Sequence, residues 1–190
     1  MSQSVCILYG LNEGPYMGHR LVAALESEGF IITKDPVAAD IIIGHSGGCL
    51  LVPPQNRAQL VVQIGIPYWP GRSWLLGTLK KVRREAAEYR HENRLGEWAV
   101  KWLHHILYAL NLPAGIRMAK NLSFDKPWNS TQPQVVIRNR FDEYCSPAIT
   151  EASFKGPRSF ISLQGGHDDC WVHPEPYVSL LQLLYRANKE

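Results

Sequence analysis

Ser46 lies in Gly44-His45-Ser46-Gly47-Gly48, directly after the β-branched run Ile41-Ile42-Ile43. Such a run suits a buried strand, and the glycines around the serine allow a turn too tight or too crowded for side chains. The pattern matches a Gly-x-Ser-x-Gly nucleophile elbow, a strand-to-helix turn that holds a serine hydroxyl clear of a sheet. A serine hydroxyl is a poor nucleophile at neutral pH, so this chemistry needs a base to take its proton and a carboxylate to orient that base. Of the seven histidines, His167 stands at the end of a strand-like run, in Gln164-Gly165-Gly166-His167. His45 is inside the turn, His104 and His105 lie on an amphipathic stretch, and His19, His91 and His173 have no strand-end placement. For the carboxylate, Asp142 and the adjacent Glu143 follow the run Gln134-Val135-Val136-Ile137-Arg138.

The rest of the chain must position these groups. Val5 to Tyr9 reads as a first buried strand and Tyr16 to Glu28 as a helix stopped by Gly29. Phe30 to Ile32, Ala38 to Gly44, Leu60 to Gly65, Gln134 to Arg138 and Arg158 to Leu163 supply five more strands. Pro174 to Ala187 reads as a closing helix with proline in its first turn. This rhythm predicts a mostly parallel sheet of about six strands with helices on both faces. After the elbow, Gly47 to Val52 leaves room for under two helical turns before Pro53-Pro54. Leu95, Trp98, Ala99, Trp102, Leu103, Ile106, Leu107 and Leu110 recur at helical spacing. The charge-dense Lys80 to Arg94 before them reads as a solvated approach.

The chain has 190 residues, 45% of them apolar, and a net charge of +3. That length fits a single domain over residues 1–190, and so small a charge does not argue for nucleic acid. The start of the chain carries no signal-peptide pattern, and no stretch reaches the ~20 apolar residues of a membrane helix. The four cysteines form no CxxC pair, so reduced thiols in a cytoplasmic protein are expected. His167, Asp168, Asp169, Cys170 and His173 crowd one loop, but the matched second half of a metal-ligand set is missing. No metal and no cofactor are expected; Asp168 and Asp169 read as loop-orienting or helix-capping residues.

The elbow, the strand-end Asp142 with Pro147 downstream, and the strand-end Gly165-Gly166-His167 occur in the order nucleophile, acid, histidine. In this the chain resembles the α/β-hydrolase superfamily. Its shortness and early serine are similar to the small serine hydrolases related to retinoblastoma-binding protein nine. Residues 72–130 fall outside the resemblance, and the short helix after the elbow and Tyr9 in place of a histidine depart from it. The resemblance implies an α/β-hydrolase fold of minimal size, lacking the leading hairpin, with 72–112 as a helical insertion, either fixed packing or a cap or lid.

It also implies a Ser46–His167–Asp142 triad and an oxyanion hole from the backbone of Gly47 and Leu11, with Asn12 as the second choice for the latter. Asn12, His45, Tyr68 and Trp69 are the expected substrate contacts. The expected activity is hydrolysis of a small carboxylic ester, or a related acyl bond, through an acyl-enzyme, falling in acid as His167 gains a proton. The rival reading is a catalytically weak protein of the same fold that acts as a protein-binding module. The expected partners are thus a small acyl substrate and, on the rival reading, a protein, without nucleic acid and without stable membrane insertion.

Overall fold

The computed structural model describes residues 3–10, 13–65, 73–109, 134–142 and 158–187, with side chains left out at 50, 73–81, 104–109 and 158. The chain divides into two compact units, Met1–Tyr68 with Pro127–Glu190, and Trp69–Lys126.

The first unit is built on β1 (Ser4–Leu8), β2 (Ile31–Thr33), β3 (Ile41–His45), β4 (Leu60–Ile64), β5 (Gln134–Asn139) and β6 (Arg158–Leu163). They form one sheet in the order β2-β1-β3-β4-β5-β6. Every neighbouring pair is parallel, so all six C-terminal ends emerge along one edge. The chain steps outward from β1 to β2 and then returns to the other side of β1 as β3. That reversal makes the β1/β3 boundary the switch point where such sheets open a crevice. At the opposite edge Asp40 sets the register: its Oδ2 accepts from Ser4 N and Ser4 Oγ, both at 2.8 Å.

Burial follows the alternation of the strands. Ile41 and Ile43, Leu60, Val62 and Ile64, and Val135 and Ile137 face one layer. That layer holds Leu21 and Leu25 of α1 (Pro15–Ser27) and Tyr177, Val178 and Leu181 of the closing helix Glu175–Ala187. Each such aliphatic side chain contributes about 1.5–3 kcal/mol on full burial. Helix α1 stops where expected, with Gly29 at φ +83° and Phe30 N donating back to Leu25 O at 3.1 Å. On the other face Cys6, Ile42 and Val61 pack with Ala39, Ala58 and Val52, and Val136 packs with Cys49.

In the second unit the expected amphipathic helix runs Leu95–Ala109 (α3). The charged approach before it is itself mostly helical, as α2 (Ser73–His91). Periodicity missed α2 because its charges dominate the pattern, yet the Arg84–Glu88 pair at i,i+4 supports a helix. Buried Glu85 joins the two helices, accepting from Lys101 Nζ at 2.9 Å and Trp102 Nε1 at 3.1 Å. Among the described residues no helix is long and apolar enough to cross a membrane. Cys6, Cys49 and Cys170 are buried thiols outside any disulfide.

One polar side chain breaks the pattern. Gln63 of β4 is fully buried, and neither atom of its amide has a hydrogen-bond partner among the described residues. A buried unsatisfied amide costs about 1–3 kcal/mol. Replacement by methionine, of similar volume, is therefore expected to stabilise the protein by roughly that amount. Urea unfolding of Gln63→Met should show a higher midpoint; a lower one would mean that the amide is satisfied in solution.

Candidate active site

Ser46 follows the last residue of β3 and has φ +50°, one of two non-glycine residues with positive φ among those described. Such a backbone angle is costly for an L-residue and persists only where its surroundings hold it. Here they do. A Cβ on Gly48 would collide with the carbonyl oxygen of Leu8, and one on Gly44 would stand 2.8 Å from Cys49 Cα. From the segment just after β1, a Cβ on Gly10 would lie 2.8 Å from Ser46 Cβ and 3.0 Å from Gly47 N. The elbow is pressed onto β1 with no room for side chains between. The chain leaves it as a 3₁₀ helix, Ser46–Leu51, ending at an extended Val52 ahead of Pro53, as the prolines require.

Two strand ends away, His167 and Asp142 meet. His167 Nδ1 lies 2.9 Å from Asp142 Oδ1 and 3.0 Å from Oδ2. The pair is withdrawn from water, the histidine side chain being 4% exposed and the carboxylate 0%. Their loops are stitched together: Arg140 N donates to Leu163 O at 2.9 Å and Phe141 N to Gly165 O at 2.8 Å. Buried Asn139 completes the tie, donating to Gly166 O at 2.7 Å and accepting from Tyr177 Oη at 2.8 Å. Burial pushes the Tyr177 phenol up, which keeps it a donor. Gly65 at φ +58° passes underneath; a Cβ there would sit 3.0 Å from both Asp142 Oδ2 and His167 Nδ1.

His45 joins the two halves, and here the sequence-based expectation needs correction. It was expected to touch substrate, but it is fully buried because β3 turns it inward beneath the elbow. Its Nε2 lies 2.8 Å from the carbonyl oxygen of His167, and its ring meets Trp171 edge-on at 4.8 Å. Trp171 belongs to a short helix the sequence reading missed, α4 (Asp169–Val172), so the closing helix is α5. Glu13 Oε1 stands 2.7 Å from His45 Nδ1, within ion-pair range though off the direction of an ideal ring N–H bond. The second oxygen of Glu13 accepts from Gly10 N at 2.6 Å.

Burial by itself would lower the His45 pKa, but Cys170 and Glu13 outweigh it and hold the imidazole well above its ordinary value. Glu13 is the decisive partner, because burial pushes the Cys170 thiol up and keeps it protonated.

Of the other expected site residues, Gly47 is buried in the elbow beside Gly10. Leu11, Asn12, Tyr68, Trp69 and the alternative acid Glu143 lie outside the described residues. Asp168 occupies the N-cap position of α4 without a side-chain cap bond. Glu13, His45, His167 and Asp168 each bring one potential ligand atom within 4.8 Å of the others. Of their ring nitrogens, His167 Nδ1 and His45 Nε2 have protein partners. Glu13, Asn139 and Tyr177 went unassigned from sequence. Only the position of Glu13, three residues past the strand-ending Gly10, offered a hint.

The raised His45 pKa has a consequence for stability. The folded value lies above the unfolded value of about 6.5. Its contribution is therefore present in full below about pH 6.5 and lost as pH rises through the folded value. Urea unfolding from pH 6 to pH 9 should show the wild type losing stability relative to His45→Gln. Parallel profiles would show that His45 is not charged in the fold.

No protein-family model and no curated protein matches the chain, but solved structures do. The enol-lactonase of Burkholderia xenovorans LB400 superposes with a TM-score of 0.61 at 15% identity, over 95% of this chain and 90% of that one. A thermophilic esterase from Thermogutta terrifontis gives 0.59 at 16% identity, over 99% and 91%. Est816, an N-acyl homoserine lactone degrading enzyme, gives 0.58 at 12%, over 96% and 93%. The six-stranded parallel sheet and these superpositions give the chain an α/β-hydrolase fold.

Proposed function

We propose that this protein is a serine hydrolase that cleaves a small carboxylic ester or lactone through an acyl-enzyme. The observation that carries the reading is the buried His167–Asp142 pair, held at strand ends of the same sheet whose β3 is followed by a serine with positive φ. Asp142 accepts the Nδ1 proton of His167, which leaves the Nε2 lone pair to serve as base. His167 takes the Ser46 proton as Oγ bonds to the substrate carbonyl carbon. It then returns that proton to the departing alkoxide as the C–O bond breaks. Water, deprotonated by the same base, attacks the acyl-enzyme and releases the acid and free Ser46. The Gly47 amide, with a second from Leu11, steadies the oxyanion.

The similar structures support acyl C–O chemistry, being named as a lactonase, an esterase and a lactone-degrading enzyme. The resemblance to small hydrolases related to retinoblastoma-binding protein nine belongs to this proposal and rests on the short chain and early serine. So do the single domain over 1–190 and the assignment of 72–112 as a cap.

A fluorophosphonate probe is expected to label the wild type and not Ser46→Ala. Hydrolysis of p-nitrophenyl butyrate by Asp142→Asn is expected to fall by about 10³–10⁴-fold in kcat, through loss of the productive tautomer. Folded wild type that takes no label would overturn the enzyme reading and leave the protein-binding module in its place.

A further inference from the structure

We infer that Glu13 and His45 form a second histidine–carboxylate pair, a positioning pair that locks the β1 loop and the His167 loop onto the elbow. The inference rests on the serine hydrolase reading for its kinetic consequence, but not for its geometry.

The argument starts from proton counting. His45 Nε2 faces the His167 carbonyl oxygen at 2.8 Å. A carbonyl only accepts, so Nε2 carries a proton. His45 Nδ1 faces Glu13 Oε1 at 2.7 Å, and an ionised carboxylate also only accepts. A bare Nδ1 there would set two lone pairs against each other. A further proton on Nδ1 turns that repulsion into attraction, and the pair is an imidazolium–carboxylate ion pair sealed from water, with side chains 0% and 5% exposed. The other groups facing His45 are Cys170 of α4, a protonated thiol, and His167 and Asp168 of the loop after β6.

Each end of the pair holds backbone that the reaction needs. Glu13 Oε2 binds Gly10 N at 2.6 Å, and Gly10 is the residue packed against Ser46 Cβ and Gly47 N. The Gly10 N–H is thereby occupied and is not free to serve as an oxyanion donor. Nε2 of His45 grips the backbone of His167, whose ring is held independently by Asp142. Because His45 directly precedes Ser46, one side chain couples nucleophile, base and oxyanion loop. Neither Glu13 nor His45 touches substrate in this arrangement.

The test combines ring ¹⁵N NMR with kinetics on Glu13→Ala and Glu13→Gln. In the wild type at pH 7 both His45 nitrogens should carry protons, and the Gly10 amide proton should resonate far downfield. Glu13→Ala should abolish both signatures. It should also slow fluorophosphonate labelling of Ser46 and ester kcat by about 10–100-fold, the loss associated with misplaced catalytic groups. KM should change by less than about threefold, because the groups displaced act in the transition state. In Glu13→Gln the amide oxygen accepts from Gly10 and the amide nitrogen donates to a neutral His45. The labelling rate should therefore return to within about threefold of wild type while the imidazolium signature stays lost.

A neutral His45 in the wild type would overturn the inference, as would Glu13→Ala that is folded by circular dichroism and labels at the wild-type rate. Wild type that fails to label would defeat the serine hydrolase reading instead, while the NMR signatures would still decide whether the pair exists.

Discussion

The closeness of the elbow to β1 governs the rest of the structure. Gly48 is packed on the carbonyl of Leu8, and Gly10 is packed on Ser46. Backbone meets backbone there with no side chain between, so a left-handed serine is held by sterics from both directions. The parallel register makes this meeting possible. Leu8 pairs with Gly44, and β1 and β3 therefore end at the same level, with their following segments leaving from the switch point of the sheet. Strands β5 and β6 end at that same edge, which is why an acid and a histidine 25 residues apart come within hydrogen-bonding distance.

Around that backbone junction the polar groups form a connected network with few loose ends. Tyr177 holds Asn139, Asn139 holds Gly166, and Asp142 holds the His167 ring. His45 holds the His167 backbone, while Glu13 lies against His45 and holds Gly10. In a site so withdrawn from water an unsatisfied donor is expensive, and a satisfied network fixes one geometry. The arrangement trades stability for definition: buried histidines and carboxylates are poor cement, but they leave His167 and Ser46 little freedom to drift. Elsewhere the fold relies on ordinary aliphatic burial between the sheet and α1 and α5, which needs no such precision.

How much could be read beforehand depended on the range of the interaction involved. The elbow was legible because its chemistry is local: a β-branched run, then glycines around a serine, each dictated by φ and by crowding within a few residues. The stop of α1 at Gly29 and the short turn before Pro53-Pro54 were legible for the same reason. Helix α2 was not, because its charges hid the period. Trp171 and the short helix α4 were not, because four residues carry too little pattern. Gln63 was not, because nothing in a Val-Val-Gln-Ile run says that its amide goes without a partner.

The amino-acid sequence alone therefore determined the sheet class, the serine turn and the order of acid and histidine along the chain. All of these follow from short-range preferences and from strand-ending glycines. Only the tertiary structure decided what His45 does. In sequence it is one more residue of a turn, well placed to meet a substrate. In the fold β3 carries it inward, and it lies between a carboxylate from residue 13 and a carbonyl from residue 167. Partners separated by more than 120 residues leave no periodicity or motif in the chain, because their meeting depends on which strands become neighbours.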